Sequence, residues 1–96
     1  MSVFISIDPG NKKCGLLLAD MESGKVIEAG IASLKKHSDL VSLWNEYYQI
    51  DKIIIGDGTN CKYIENQLKR NNFLNINYVN ERGSTLRARF RYWEIW

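Results

Sequence analysis

Residues 3–15 read Val-Phe-Ile-Ser-Ile-Asp-Pro-Gly-Asn-Lys-Lys-Cys-Gly, an apolar strand that leads into a carboxylate and a basic turn. Side chains alternate between the two faces of a strand, so the aliphatic residues share one face and Asp8 falls on the other. Pro9 cannot donate a ladder hydrogen bond and Gly10 can take a positive φ, so the strand ends there. We therefore expect the Asp8 carboxylate at the carboxyl end of a strand, although Asp before Pro-Gly is also common in turns.

The composition indicates one small globular domain over residues 1–96. Hydrophobic residues make up 45% of the chain and charged residues 25%, and the single proline argues against a linker-rich or disordered chain. No apolar run approaches the roughly 18 residues that cross a membrane and we detect no secretory signal, so we expect a cytoplasmic protein with no membrane partner. Two widely separated cysteines, Cys14 and Cys61, indicate neither a zinc site nor a disulfide framework, and both are expected to be small buried residues.

Apolar periodicity and turn residues divide the chain into elements in the order βββαβαβα. The first three strands are short and joined by tight turns, which predicts an antiparallel meander. Ser38 and Asp39 offer a cap and a first-turn acid for the first helix, and Thr59 or Asn60 can cap the second. The predicted elements are strands over 3–8, 14–20 and 25–33, a helix over 38–49, a strand over 53–55, a helix along 61–68, a strand over 75–80 and a helix after Ser84.

The crossovers between the strands decide the sheet. Ile53–Ile55 is a continuous β-branched run, which suggests burial on both faces between parallel neighbours. Helical crossovers are right-handed by strong preference, which makes strands one, four and five parallel. We therefore expect an α/β fold with a mixed five-stranded sheet in the order 3-2-1-4-5, in which strand two is antiparallel. Asp8, Asp57 and Glu81 then come at or just beyond the carboxyl ends of strands one, four and five, where ligands bind in open α/β sheets.

Carboxylates that converge on one edge repel one another unless a positive charge lies among them. Mg²⁺ or Mn²⁺ takes oxygen ligands from one or two carboxylates and leaves positions for phosphate oxygens. The nearby Lys12, Lys13 and Arg82 can hold a polyanion backbone. The pattern therefore predicts that the three carboxylates are catalytic metal ligands for phosphodiester chemistry on nucleic acid. The alternative is that Asp57 is a turn residue between two glycines and Glu81 a first-turn helix acid.

Two stretches resemble a known family. Residues 4–15 resemble the opening strand and turn of YqgF/RuvX-type proteins of the RNase H-like superfamily, and residues 79–85, Val-Asn-Glu-Arg-Gly-Ser-Thr, resemble their Asp-Glu-Arg-x-Ser-Thr signature. The resemblance implies an RNase H-like fold and a metal-dependent nuclease, either a Holliday junction resolvase or an enzyme that matures small-subunit ribosomal RNA precursors. It assigns Asp8 as the first metal ligand and Glu81 as the second. The candidate nucleic-acid contacts are Lys12, Lys13, Arg82, Ser84, Thr85 and Arg87.

The sequence departs from this family in three places. Asn80 stands where the family has Asp, and Asp57 stands where the family has an uncharged turn, although RuvC-type resolvases place a carboxylate on that strand. The family's last catalytic Asp lies on the carboxyl-terminal helix. In this sequence the one acidic residue after Glu81 is Glu94. We therefore expect a fold truncated at that helix and an incomplete catalytic set, unless Asp57 or Glu94 substitutes.

Other functions fit parts of the pattern. Asp8-x-Gly10-x₄-Gly15 also matches the phosphate loop of actin-like ATPases and sugar kinases, but those enzymes clasp the nucleotide between two domains. A non-catalytic module that keeps the fold and binds nucleic acid or a protein partner fits an incomplete site. The apolar end of the chain predicts a homodimer through its last helix, formed by Phe90, Trp93 and Trp96.

Four further residues are expected to have structural roles. His37 lies among lysine and serine residues and is expected to be a solvated capping residue. Trp44, Tyr47 and Tyr48 recur near helical spacing and are expected to form core rather than a base-stacking platform, which would need them exposed. We assign none of them a function.

Overall fold

A computed structural model of the chain describes residues 2–56, 58 and 60–79, which form five strands and two helices. In chain order these are β1 (Val3–Pro9), β2 (Lys13–Asp20), β3 (Val26–Ser33), α1 (His37–Tyr48), β4 (Ile50–Gly56), α2 (Cys61–Arg70) and β5 (Ile76–Val79). The order agrees with the predicted one as far as β5, and the predicted final helix lies outside the described residues. Neither of the two described helices is long and apolar enough to cross a membrane.

The strands form one mixed sheet in the order β3-β2-β1-β4-β5. β2 is antiparallel to β1 and β3, whereas β4 is parallel to β1 and β5. Ile7 in the central strand lies opposite Leu16 of β2 and Ile55 of β4. In β4, Ile53 and Ile55 are buried and Ile54 is half-buried, as expected between parallel neighbours. The predicted α/β class, sheet order and strand directions are therefore confirmed, and they are those of an RNase H-like sheet.

Both helices pack on one face of the sheet. That face consists of apolar side chains from three adjacent strands, and α1 and α2 add theirs from above. The buried cluster comprises Val3, Ile5, Ile7, Cys14, Leu16, Leu18, Ile53, Ile55, Val41, Trp44, Ile64 and Leu68. Removal of this apolar surface from water is the main term that favours the fold.

The opposite face of β1 and β2 is buried as well. Ser6, Leu17 and Ala19 alternate with residues of the core cluster and so lie on that face, and none is more than 3% exposed. By contrast, Ile31 on the edge strand β3 is 62% exposed. Within the part of the chain that the structure describes, the buried Ser6 hydroxyl has no hydrogen-bond partner. β1 is therefore enclosed on both faces, as a central strand should be.

The start of α1 differs from the prediction. The helix begins at His37, Lys36 occupies the N-cap position, and no side chain caps it, so Ser38 is not the cap. The expectation that His37 is solvated is wrong, because its side chain is fully buried and Nδ1 lies 2.7 Å from the Leu34 carbonyl oxygen. That carbonyl pairs with Nδ1 from within the preceding turn, whereas the buried Nε2 atom has no hydrogen-bond partner among the described residues.

The aromatic residues of α1 divide between core and solvent. Trp44 is buried and Tyr48 packs against the core cluster, as predicted. The prediction for Tyr47 is wrong, because it is 75% exposed. The buried stripe of this helix runs along Val41, Trp44 and Tyr48 at i, i+3 and i+7, and Tyr47 is rotated away from it.

The difference in burial between Ile5 and Ile31 predicts different effects of the same substitution on stability. Ile5→Ala removes a fully buried side chain, and we expect it to lower the free energy of unfolding by about 3 kcal/mol. Ile31→Ala deletes the same atoms at a site that is 62% exposed, and we expect a change of no more than about 0.5 kcal/mol. Urea unfolding followed by tryptophan fluorescence measures both changes. Equal losses in the two variants would contradict the central position of β1.

Candidate functional site

Asp8 is the penultimate residue of β1 and stands at the carboxyl edge of the sheet. It lies opposite Gly15 of β2, and the preceding residue, Ile7, is paired with Ile55 of β4. A Cβ atom built on Gly56 would lie 3.8 Å from Asp8 Oδ1, so the end of β4 passes the carboxylate as bare backbone. The Asp8 side chain is half-buried. Its position at the strand end is the one that the sequence predicts.

The other two predicted metal ligands, Asp57 and Glu81, lie outside the described residues. In the sequence, Asp57 follows Gly56, the last residue of β4, and Glu81 comes two residues after Val79, the last residue of β5. Gly56 and Val79 are paired with each other across the two strands. The carboxyl ends of β1, β4 and β5 therefore lie side by side. Further predicted residues that lie outside the described part of the chain are Asn80, Arg82, Ser84, Thr85, Arg87, Phe90, Trp93, Glu94 and Trp96.

Asp8 is the predicted ligand that can be assessed for metal binding. Among residues 2–56, 58 and 60–79, no group of three or more His, Cys, Asp or Glu side chains is arranged to hold a metal ion. A half-buried carboxylate beside bare backbone offers the oxygen ligand that Mg²⁺ and Mn²⁺ prefer. Asp8 thus fits one position of such a centre, and the remaining protein ligands would have to come from beyond these residues.

Lys12 lies in the turn that follows β1 and Lys13 begins β2, four and five residues after Asp8, and both lysines are exposed. The Gly10 amide donates to the Lys13 carbonyl at 2.9 Å, and the Leu34 amide donates to the Lys12 carbonyl at 3.1 Å. A Cβ atom on Gly10 would come within 2.6 Å of the Lys13 carbonyl oxygen, so this tight turn requires glycine. The two predicted lysines therefore lie on a fixed turn at the same edge as the carboxylate.

Asn60 reaches this turn from a distant part of the chain. It occupies the N-cap position of α2, one of the two positions that the sequence suggests, but its side chain makes no capping hydrogen bond. Instead, Nδ2 donates to the Gly10 carbonyl at 2.8 Å and, in a longer contact of 3.5 Å, to the Asn11 carbonyl. This role could not be predicted from the sequence, because the bond joins residues 50 positions apart and the local pattern is that of an ordinary cap.

Cys14 is a buried thiol whose pKa is raised. Its side chain is 2% exposed, and Sγ donates to the Ala32 carbonyl at 3.6 Å. Burial raises the pKa of the Cys14 thiol from 9.0 to about 12, and the nearby Asp8 carboxylate adds to the increase. Cys14 therefore stays protonated at neutral pH and is a buried apolar residue, as predicted, whereas Cys61 is only half-buried.

The edge of the sheet thus combines one carboxylate at the end of β1 with two exposed ammonium groups on the hydrogen-bonded turn that follows it. A carboxylate oxygen can bind a hard divalent cation, and lysine side chains attract phosphate groups. Both kinds of contact suit a polyanionic ligand, and neither reads the identity of a base.

No protein-family model matches this chain, and no curated protein sequence matches it. Solved structures do match. Pelota from Archaeoglobus fulgidus superimposes with a TM-score of 0.57 at 9% identity, over 97% of this chain and 31% of that chain. A Ppx/GppA phosphatase from Aquifex aeolicus superimposes with a TM-score of 0.46 at 15% identity, over 84% of this chain and 36% of that chain. This chain spans about a third of the length of these structures, and its similarity to Pelota is one of fold alone.

Proposed function

We propose that this chain is a metal-dependent nuclease that acts on the phosphodiester bonds of nucleic acid. The observation that supports the proposal is the parallel arrangement of β1, β4 and β5, whose carboxyl ends lie side by side. Asp8 stands at the first of these ends, and Asp57 and Glu81 come shortly after the other two in the sequence. Ligands of open α/β sheets bind at this edge. We therefore assign the three carboxylates as ligands of Mg²⁺ or Mn²⁺.

Each group has a separate task in this proposal. When bound, the divalent cation polarises a phosphoryl oxygen and activates a water molecule. Asp8 supplies a carboxylate oxygen from a strand that is paired on both sides, so the ligand is held in place before any cation binds. Lys12 and Lys13 attract the phosphates of the backbone and orient it over the sheet edge.

The resemblance to YqgF/RuvX-type proteins extends the proposal to a substrate, either a four-way DNA junction or a precursor of small-subunit ribosomal RNA. Both present closely spaced phosphates, which a basic turn attracts. A cytoplasmic location and a homodimer through the last helix belong to the same proposal. The additional nucleic-acid contacts that it assigns are Arg82, Ser84, Thr85 and Arg87.

We expect Mn²⁺-dependent cleavage to require Asp8. Asp8→Asn keeps the size of the side chain and removes its charge, so cleavage of a four-way junction or a structured RNA should fall by a factor on the order of a hundred or more. Asp51→Asn is the matched control, because Asp51 is exposed near the opposite end of β4, and it should keep full activity. Equal activity in all three proteins would contradict the proposal. A chain that binds both substrates and cleaves neither would favour the non-catalytic module.

Metal binding can be tested without activity by titrating the chain with Mn²⁺ and following the heat of binding. Binding to the unaltered chain should be lost in Asp8→Asn, because the amide replaces the carboxylate that the proposal assigns to the cation. The matched control Asp51→Asn should bind Mn²⁺ as the unaltered chain does, because Asp51 lies near the opposite end of β4. Mn²⁺ binding of equal affinity in Asp8→Asn, or none in the unaltered chain, would rule out a cation at Asp8.

A further inference from the structure

Asn60 stands at a capping position but uses its side chain elsewhere. Asparagine is a favourable N-cap because its side-chain oxygen accepts a hydrogen bond from the first turn of the helix. At the start of α2 no such bond forms, and the side-chain amide instead donates to the Gly10 carbonyl at 2.8 Å. The helix thus forgoes a side-chain cap, and the turn between β1 and β2 gains a donor from a distant element.

The turn over residues 10–13 is held at three points. The Gly10 amide closes it on the Lys13 carbonyl, the Leu34 amide holds the Lys12 carbonyl, and Asn60 holds the Gly10 carbonyl. The first two links join backbone to backbone. Among the described residues, Asn60 supplies the side chain that fixes this turn, and the 3.5 Å approach of its Nδ2 to the Asn11 carbonyl strengthens the same hold.

The conformation of this turn affects phosphate binding, because the turn positions Lys12 and Lys13. Lys12 and Lys13 are exposed, and each loses side-chain conformational entropy when it holds a phosphate. If the backbone of the turn also had to become ordered on binding, that cost would be added to the first. Because Asp8 and the lysines belong to the same strand and turn, the conformation of the turn also sets where a phosphate lies relative to the carboxylate.

We infer that Asn60 is a positioning residue that fixes the turn through which Lys12 and Lys13 contact the phosphates of a nucleic-acid backbone beside Asp8. The inference rests on the proposed function, because it takes nucleic acid as the ligand. Asn60 acts through the Gly10 carbonyl and does not itself contact the ligand. Its replacement should therefore weaken phosphate contacts and leave base preference unchanged.

Asn60→Ser separates the positioning role from the stability of α2. Serine is about as good an N-cap residue as asparagine, but its side chain is too short to span the gap to the Gly10 carbonyl. Asn71→Ser is the matched control, because Asn71 lies at the other end of α2 and its Nδ2 donates to the Gln67 carbonyl at 2.9 Å. Urea unfolding should show no greater loss of stability for Asn60→Ser than for this control.

Two measurements follow the turn and the ligand separately. Amide hydrogen exchange at Gly10, followed by NMR, should be about fivefold faster in Asn60→Ser, the factor that corresponds to one lost hydrogen bond, and unchanged in Asn71→Ser. Binding to a mixed-sequence DNA duplex should weaken severalfold in Asn60→Ser and stay unchanged in Asn71→Ser. In a salt titration, replacing both Lys12 and Lys13 with alanine should reduce the slope of log K against log salt by about 1.8, and Asn60→Ser should reproduce part of that reduction.

Faster exchange at Gly10 together with weaker duplex binding supports the inference. Unchanged exchange at Gly10 overturns it, and so does unchanged binding by Asn60→Ser when the double lysine variant loses affinity. Duplex binding that is insensitive to the double lysine variant also overturns it. In each of these cases the proposed function is judged separately, by whether cleavage depends on Asp8.

Discussion

The parallel pairing of β1 with β4 is the contact on which the rest of the structure depends. Its regular register runs from Phe4 opposite Lys52 to Ile7 opposite Ile55, and it brings Asp8 beside Gly56. Parallel strands cannot be joined by a tight hairpin, and here the chain returns through α1 before β4 begins. If β4 ran the other way, its carboxyl end would lie at the opposite edge of the sheet. The side-by-side strand ends that define the candidate site would then not exist.

Burial fixes the register of this pairing. Ile5 and Ile7 on β1 form one apolar layer with Ile53 and Ile55 on β4, and the intervening Ser6 is buried on the other face. Parallel pairs are slightly less stable per residue than antiparallel ones and occur where both faces of the sheet are covered. A slip of β1 by one residue would exchange its two faces and carry the Asp8 carboxylate to the side of the helices. The hydrophobic pattern that stabilises the fold therefore also determines which way the carboxylate faces.

The architecture could be predicted from the sequence because its signals are local. Few sheet topologies are compatible with the alternation along β1, the β-branched run in β4 and the helical crossovers. The Pro-Gly step indicates that β1 ends directly after Asp8. The wrong predictions depend on contacts that those signals do not contain. The residues around His37 in the sequence are those of a solvated cap, and its burial against the Leu34 carbonyl is a contact of the folded turn that they do not indicate. The bond from Asn60 to Gly10 spans 50 positions, so no local pattern indicates it.

Two kinds of contact join the chain around Asp8 to the chain around the end of β4. Within the sheet, backbone pairing joins β1 to β4, and beyond the strand ends the Asn60 side chain, which follows β4, holds the Gly10 carbonyl, which follows β1. A ligand site built on one turn is ordered at little cost on binding when folding has already ordered that turn. Aspartate and serine suit an N-cap position as well as asparagine does, but a carboxylate cannot donate a hydrogen bond to the Gly10 carbonyl and a serine hydroxyl is too short to reach it. The carboxamide suits this position because the bond that matters there is the one it donates.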